Sequence, residues 1–321
     1  MIINNEHKKL NVPNLRFPEF QGEWKKTTIG DIADLYKGTG ISKGQLSDDG
    51  EPCILYGELY TKYKSETIRE VISKTNIDNT KLVRSKANDV IIPCSGETAE
   101  DIATARCVLN GNILLGGDLN IIRLHGYDGA FMSYQLNGRR KYDIAKVAQG
   151  VSVVHLYGEH LKGVKTINPC LEEQKKIAKL LSLLDERIAT QNKIIDKLQS
   201  LIKGLRVRLI QIENGNIVHL GEIAQIYQPQ TISSTELTED GFLVYGANGI
   251  IGKYKQYNHK TEQICITCRG NTCGMVNYTK PMSWITGNAM VINTDEHQNK
   301  VCKRYLYHYL SAYNFNSTSV H

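Results

Sequence analysis

Three cysteines form the most closely spaced set of metal-binding side chains in the sequence. Cys265, Cys268 and Cys273 are separated by two and four residues. Structural zinc usually takes four tetrahedral ligands, and here the fourth would have to be the distant His259 or His297. Buried and loop thiols explain this spacing better than zinc does. We therefore expect no metal site.

Catalytic signatures are also missing. There is no G-x-x-x-x-G-K-[ST] phosphate loop, and the glycine cluster GTGISKG at 38–44 lacks the G-x-G-x-x-G spacing of a dinucleotide site. The segment Asn168-Pro169-Cys170-Leu171 lacks the second proline and the aromatic residue of the Asn-Pro-Pro-aromatic motif of amino-methyltransferases. The histidines show no H-E-x-x-H spacing. We expect a non-catalytic chain that binds no cofactor of its own.

Five segments combine basic side chains with hydrogen-bonding or aromatic ones. They are TKYKSETIR (61–69), SGETAEDIATAR (95–106), NGRRKY (137–142), GKYKQYNHK (252–260) and RGNT (269–272). Lysine and arginine hold phosphates, while polar side chains read base edges. Each segment taken alone also fits a solvated surface loop. The candidate DNA contacts are Lys62, Tyr63, Lys64, Ser95, Glu97, Thr98, Arg106, Arg139, Arg140, Lys253, Tyr254, Lys255, Tyr257, Arg269, Asn271 and Thr272.

The centre of the sequence predicts one long helix between these segments. From Pro169 to Asn214 there is no further proline and Gly204 is the only glycine, so we expect roughly 43 helical residues and a rod of about 65 Å. Apolar residues spaced alternately by three and four form a seam, which favours a coiled coil over a helix packed on its own domain. A polar seam residue, Gln191, can fix the register. The seam comprises Leu181, Leu184, Ile188, Gln191, Ile195, Leu198, Ile202, Leu205, Leu209 and Ile212.

The segments on either side of this helix repeat one another. Nine residues from Gly30 to Gly50 recur at a constant offset of 191 residues, from Gly221 to Gly241. Further on, DVIIPCSG (89–96) parallels QICITCRG (263–270), and GDLNIIRL (117–124) parallels GNAMVINT (287–294). Such short β-branched runs predict strands. We predict an α+β fold with two repeated mixed α/β domains separated by a long coiled-coil-type helix: an arm at 1–23, domains at 24–167 and 216–321, and the helix at 168–215.

The overall composition is that of a soluble chain with more than one hydrophobic core. The chain has 321 residues, of which 41% are hydrophobic, enough for two domains. No run approaches the roughly 20 apolar residues of a membrane helix, and the start, MIINNEHKKLNVPN, lacks a secretory signal. Eight scattered cysteines indicate reduced thiols, so we expect a cytoplasmic protein. A net charge of +6 fits a polyanionic partner without establishing one.

Three segments carry a resemblance to a known family: VPNLRFPEFQGEWKKTTIGDIA (12–33), NPCLEEQKKIAKLLSLLDERI (168–188), and HLGEIAQIY followed by YGANGIIGKY. In type and order they resemble the specificity subunit of bacterial type I restriction-modification systems. The resemblance implies two target-recognition domains, each reading half of a split, asymmetric sequence in double-stranded DNA. It also implies that two modification subunits methylate adenine N6 with S-adenosylmethionine, and that two restriction subunits use ATP and Mg²⁺ to translocate and cleave DNA.

One departure from that family concerns its second long helix. The sequence here ends at YLYHYLSAYNFNSTSVH, and the second domain looks C-terminally incomplete. We therefore expect the seam to pair with a helix from a missing C-terminal part, from another copy of the chain or from the modification subunits. Two other functions stay open: a coiled-coil scaffold whose end domains bind protein, and a standalone DNA methyltransferase or nuclease, which the missing signatures disfavour.

Overall fold

The structure is a computed structural model that describes residues 12–78, 80–150, 153–210, 215–247, 249–270, 272–313 and 315. The chain divides into two compact units, residues 1–191 and residues 192–321. Each unit has its own sheets and its own hydrophobic clusters. The boundary between the two units falls inside the long helix.

Short strands build the sheets of the first unit. In chain order they are β1 (Lys25–Thr28), β2 (Ala33–Lys37), β3 (Leu46–Ser47), β4 (Glu51–Ile54), β5 (Thr67–Ile68), β6 (Ser73–Thr75), β7 (Asp89–Pro93), β8 (Ser95–Gly96), β9 (Arg106–Val108), β10 (Leu114–Leu115), β11 (Leu119–Leu124), β12 (Val154–His155) and β13 (Lys165–Asn168). A five-stranded sheet has the order β2-β11-β7-β9-β5, and a four-stranded sheet has the order β10-β4-β6-β3. Two further pairs are β1-β13 and β12-β8.

The centre of the five-stranded sheet consists of β7 and β11 because their β-branched side chains are buried on both faces. Val90, Ile91, Ile92, Ile121 and Ile122 are all fully buried. Successive residues of a strand face opposite sides of its sheet. Accordingly, Val90, Ile92 and Ile122 belong to one core cluster, while Ile91 and Ile121 belong to another. This sheet is therefore the layer between the two cores of the first unit.

Helices cover this sheet and lead out of the unit. They are α1 (Ile29–Ile32), α2 (Glu58–Thr61), α3 (Ala99–Ile102), α4 (Gly129–Asn137), α5 (Lys141–Val147), α6 (Gly158–Lys162) and α7 (Leu171–Ile210). The side chain of Asp128 accepts a hydrogen bond from the backbone N–H of Phe131, which caps the start of α4. Met132 and Leu136 then place the inner face of α4 in the core.

The long helix expected from the seam is present as α7. It has 40 residues, which at about 1.5 Å per residue gives a length of about 60 Å. Glu172 and Glu173 lie in its first turn and Arg208 in its last, where their charges complement the helix dipole. The helix begins at Leu171 rather than at residue 168, and residues 211–214 lie outside the described part of the chain.

The second unit is smaller. Its strands are β14 (Gln225–Tyr227), β15 (Phe242–Gly246), β16 (Gly249–Tyr254), β17 (Ile264–Thr267), β18 (Val276–Tyr278), β19 (Trp284–Ile285) and β20 (Ala289–Asn293), and its helix is α8 (Lys303–Ala312). The strands form one sheet in the order β14-β20-β17-β18 and another in the order β16-β15-β19. Short 3-10 turns complete the chain at Lys43–Gln45, Leu220–Glu222, Ser234–Glu236 and Asp295–His297.

The two units share one topology, as the internal repeat predicts. The strands β2-β11-β7-β9 and β14-β20-β17-β18 are antiparallel neighbours in the same order. Each unit also has a parallel pair in its other sheet, β4 with β10 and β15 with β19. Ser42 and Gln45 form a capping box that recurs 191 residues later as Ser233 and Glu236. The predicted α+β fold with two related domains and a long central helix is confirmed.

Candidate nucleic-acid interface

One edge of the five-stranded sheet gathers several loops of the first unit. Leu119 pairs with Pro93, and Asn120 pairs with Lys37, so the end of β7 and the end of β2 meet the beginning of β11. The ends of β4 and β10 join this edge through backbone hydrogen bonds. We call this region the first strand-end surface. It is formed by residues 38–45, 55–62, 94–98 and 116–118.

A cleft of about 800 Å³ opens on the first strand-end surface. Its walls include Lys43, Gln45, Tyr60, Lys62 and Asp118. Tyr60 is 40% exposed, and the side chain of Asp118 is 51% exposed. Ammonium, amide, phenol and carboxylate groups together can hold phosphates and distinguish the donor and acceptor patterns of base edges.

An ion pair between the buried Glu58 and the partly exposed Lys62 stiffens one wall of this cleft. Glu58 is 6% exposed, and its Oε1 accepts hydrogen bonds from Lys62 Nζ at 2.6 Å and from Ser73 Oγ at 2.5 Å. Its Oε2 accepts a hydrogen bond from the backbone N–H of Leu55 at 3.0 Å. Because Glu58 neutralises the ammonium of Lys62, Lys62 contributes a positioned hydrogen-bond donor to the cleft rather than net positive charge.

Ser95, Glu97 and Thr98 lie on the same strand-end surface. Ser95 belongs to β8, and Thr98 caps α3 by accepting a hydrogen bond from the backbone N–H of Asp101. Burial raises the pKa of Tyr60, and the nearby acidic groups, Asp101 and Glu97 among them, raise it further. The hydroxyl of Tyr60 therefore stays protonated and can both donate and accept a hydrogen bond.

Two residues that the sequence assigned to DNA lie inside the first unit. Tyr63 is 7% exposed, and its hydroxyl accepts a hydrogen bond from the backbone N–H of Ile72. Arg106 is 8% exposed and donates Nε to the carbonyl of Tyr63 and Nη1 to the carbonyl of Ala105, each at 3.1 Å. Both assignments are corrected, because these side chains already serve the interior of the unit.

Arg139 and Arg140 lie elsewhere in the first unit. They follow α4 and line a separate cavity of about 290 Å³ together with Ile177 of α7. Arg140 also donates a hydrogen bond from Nη1 to Asp143 at 3.1 Å. Lys64 is exposed in the loop that follows α2. The arginine pair is therefore not part of the cleft.

The second unit has the corresponding strand-end surface. β17 ends beside the beginning of β20, and the loop that follows β17 returns to the turn between β15 and β16. There Thr267 Oγ1 donates a hydrogen bond to the carbonyl of Ala247 at 2.6 Å. Arg269 is exposed in this loop and Thr272 is half-buried, whereas Asn271 lies outside the described residues. Two of the predicted contacts are thus on this second strand-end surface.

The second strand-end surface is the more apolar of the two. Ile250, Ile251 and Met275 are 54%, 43% and 50% exposed, and they belong to the strand and the loop that form it. The first strand-end surface presents Lys43 and Asp118 instead. Apolar side chains can contact the methyl group of thymine, so the two surfaces offer different chemistry to a ligand.

The other candidates of the second unit lie at the opposite end of its hairpin. They are Lys253, Tyr254, Lys255 and Tyr257. The last residue of β16 pairs with the first residue of β15, which is the end away from the strand-end surface. Lys253 Nζ lies 3.6 Å from Asp240 Oδ1, and the ring of Tyr257 meets Phe242 edge-on at 5.0 Å. The candidates of this unit are therefore divided between two places.

Sequence reasoning missed four residues of the first strand-end surface: Lys43, Gln45, Tyr60 and Asp118. Lys43 lies within the glycine cluster GTGISKG and Gln45 directly follows it, and none of the DNA contacts predicted from the sequence lies in this segment. The internal repeat contains a signal that could have identified the region of these residues. The strands DVIIP and QICIT end at matched positions of the repeat, so the loop after each strand is expected at the same edge of the corresponding sheet in its own unit.

The seam of α7 is exposed along most of its length. Leu181 and Ile177 line the cavity of the first unit, Gln191 is exposed, and Ile212 lies outside the described residues. The exposed fractions of the remaining seam residues are 49% for Leu184, 60% for Ile188, 49% for Ile195, 53% for Leu198, 47% for Ile202, 47% for Leu205 and 75% for Leu209. Apolar side chains exposed over such a length mark a surface that a partner helix can bury.

The arm before the first domain binds the first turns of α7. Glu173 is fully buried, and its two carboxylate oxygens accept hydrogen bonds from Nε and Nη2 of Arg16, each at 2.8 Å. The Glu173 carboxylate raises the pKa of the Arg16 guanidinium. Lys176 Nζ lies 4.5 Å from the ring centroid of Phe17. The arm motif LRFPEF and the helix motif LEEQ are therefore the two halves of one contact.

Two further residues attach α7 to α4. Gln174 donates a hydrogen bond to the carbonyl of Pro169 and accepts one from the backbone N–H of Asp128, each at 2.9 Å. Asp185 accepts a hydrogen bond from the hydroxyl of Tyr134 at 2.5 Å. Burial raises the pKa of Tyr134, and its hydrogen bond to Asp185 raises it further. The start of α7 is thus fixed in position and in rotation.

The three cysteines lie on β17 and in the loop that follows it. Cys265 is buried, and burial raises the pKa of its thiol to about 12. Within the described part of the chain, no group of three or more His, Cys, Asp or Glu side chains could hold a metal ion. Among the same residues, no helix is both long enough and apolar enough to span a membrane.

Two α+β units of one topology, connected through a long helix with an exposed apolar seam, define a class of twin-domain proteins. A family model described as the type I restriction modification DNA specificity domain matches residues 21–200 and residues 213–320. Each of the two matched ranges contains one copy of the internal repeat. The chain belongs to this family, and the resemblance inferred from the sequence is confirmed.

Two relatives illustrate the relationship. The specificity subunit of the type I restriction enzyme MjaVIII of Methanocaldococcus jannaschii is 26% identical over 245 residues, which cover 71% of this chain and 54% of that protein. The chain therefore spans about half the length of this curated relative. The crystal structure of a type I restriction-modification S subunit from M. genitalium aligns with a TM-score of 0.64 at 20% identity, covering 90% of this chain and 77% of that one. This second match supports the fold.

Proposed function

We propose that this chain is the DNA-recognition subunit of a type I restriction-modification complex and that each unit reads one half of a bipartite, asymmetric target. The observation that carries the proposal is the family match over both units. The naming of the M. jannaschii relative as a specificity subunit supports it. Equivalent strand-end surfaces with different side chains would let one topology read two different half-sites.

The contacts that we propose lie on the two strand-end surfaces. In the first unit, the cleft residues Lys43, Tyr60 and Asp118 join the sequence candidates Lys62, Ser95, Glu97 and Thr98. In the second unit, Arg269 and Thr272 remain the polar candidates, with Ile250 and Met275 as apolar neighbours. Lys43 and Arg269 would hold phosphates, and Lys62 and the other side chains would contact base edges.

Catalysis belongs to partner subunits in this proposal. Two modification subunits would transfer methyl groups from S-adenosylmethionine to adenine N6 after extruding the base, and two restriction subunits would use ATP and Mg²⁺. This chain would bind none of these cofactors. The exposed seam of α7 offers a helical surface to the modification subunits or to another long helix. Eight free thiols fit the reducing cytoplasm that we propose as the compartment.

The test is a selection of bound duplexes from a random pool by the purified chain, with and without modification subunits, followed by a salt titration. Enrichment of two short motifs at a fixed spacing, with an affinity that falls steeply with salt, is the expected result. A chain that binds protein partners but enriches no motif in either condition is a scaffold, and the proposal is then wrong. Adenine methylation by the chain alone would instead identify a methyltransferase.

A further inference from the structure

A basic and aromatic cluster lies where α8 meets the end of α7 in the second unit. The guanidinium of Arg206 lies over the ring of Tyr307 at 5.5 Å, and that of Arg304 lies over the ring of Tyr278 at 4.8 Å. The two tyrosine rings are 5.3 Å apart, and the ring of His308 is 5.0 Å from Tyr307. These five side chains form one continuous group, which we call the Arg-Tyr cluster.

Among the residues that the structure describes, no ion pair includes the arginines of the Arg-Tyr cluster. The described ion pairs of the second unit involve two lysines, and neither Arg206 nor Arg304 takes part in one. The carboxylate of Glu262 accepts a hydrogen bond from the hydroxyl of Tyr278 at 3.3 Å. Within the same residues, Arg206 Nε and His308 Nδ1 are buried without a hydrogen-bond partner. Burial and the charges of both arginines lower the pKa of His308.

The first unit has an anion at the corresponding position. Two buried residues four positions apart align α4 with α8, Met132 and Leu136 in the one and Leu306 and Leu310 in the other. In this alignment, Tyr134 corresponds to His308. The hydroxyl of Tyr134 donates a hydrogen bond to the carboxylate of Asp185 at 2.5 Å. The second unit has no such acceptor among its described residues and has two arginines beside the position, so an anion would complete the cluster.

We propose that the Arg-Tyr cluster binds a phosphate group of the DNA backbone, away from the second strand-end surface. A guanidinium that lies over a ring can still donate from its terminal N–H groups, which form a fork that matches two oxygens of a phosphate. The two guanidinium groups of Arg206 and Arg304 together offer more N–H donors than the two oxygens of a single carboxylate can accept, which favours a phosphate as the ligand. The proposal rests on the proposed DNA-binding function and adds a contact that would fix the orientation of the second unit on a duplex without reading its sequence.

The test compares the full chain with Arg206→Gln, Arg304→Gln and the double variant, by Kd for the enriched duplex over a range of salt concentrations. Each substitution should raise Kd roughly 10-fold and reduce the dependence of log K on log salt by about 1, with the preferred motifs unchanged. Arg304→Lys keeps the charge but loses the fork and should give an intermediate loss. Arg208→Gln is the matched control, because it makes the same charge change on an exposed position of α7 and should alter Kd less than twofold.

Each outcome separates this proposal from the function on which it rests. If the wild-type chain binds no DNA, the proposed function fails. If the wild type binds and the double variant has the same Kd and salt dependence, only the phosphate site is wrong. If DNA binding is retained but self-association changes in sedimentation velocity, the anion is a carboxylate of another chain and the phosphate site is again refuted. Arg304 is exposed, so Arg304→Gln remains a valid test even if replacing Arg206 unfolds the unit.

Discussion

Replacing a single seam residue with a carboxylate should weaken every assembly that depends on α7. Leu198 is 53% exposed, so about 90 Å² of its side chain is left for a partner to bury, worth about 2 kcal/mol at roughly 25 cal/mol per Å². If two copies of the chain pair through the seam, Leu198→Asp removes this contribution twice, about 4 kcal/mol in total, which raises the dimer Kd about 1000-fold. Desolvation of the introduced carboxylate adds to the loss.

The assay is sedimentation velocity over a dilution series, first with the chain alone and then with purified modification subunits. Ser200→Asp is the control, because it introduces the same charge on the same helix, two residues away and off the seam. The chain with Ser200→Asp should assemble like the wild type, whereas the chain with Leu198→Asp should not. A wild-type chain that stays monomeric at every concentration, together with normal assembly of Leu198→Asp with the modification subunits, would refute a binding role for the seam.

Three shorter predictions concern the interior of the two units. Tyr134→Phe removes the hydrogen bond to the carboxylate on α7 and should lower the free energy of unfolding in urea by roughly 1–2 kcal/mol; an unchanged midpoint would contradict this contact. Arg16→Gln leaves the buried Glu173 without its cation, so limited proteolysis should cut the arm sooner, and equal cutting rates would show that the arm is held by other contacts. Burial raises the pKa of Cys265 to about 12, so its thiol stays protonated at neutral pH; iodoacetamide should label the exposed Cys273 of the folded chain before Cys265, and equal labelling of the two would disprove the burial.

The features that the sequence predicts well are those with a period. The seam alternates by three and four residues, and the repeat keeps an offset of 191 residues over nine positions, so the long helix and the paired domains follow from the spacing alone. Sequence reasoning also identified the segments 95–106 and 269–272, parts of which lie on strand-end surfaces.

The burial of single side chains could not be predicted in this way. Arg106 has the charge of a phosphate contact, but it begins β9 and bonds to the carbonyl of Tyr63, a residue 43 positions earlier. Lys253 and Arg269 look alike in sequence but lie at opposite ends of their sheets, because strand pairing decides which ends meet. Such outcomes depend on contacts between residues that are distant in sequence, which a pattern of residue types does not contain.

The hydrogen bonds of Glu173 and Gln174 have a consequence for how the length of α7 can change. They fix the azimuth of the helix at its first turn, and each residue farther along turns by about 100°. Inserting one residue after Gln174 would therefore rotate all subsequent seam residues by about 100° around the axis, whereas inserting seven would rotate them by only about 20°. The helix can thus be lengthened without redirecting its apolar stripe only in steps near a whole number of turns.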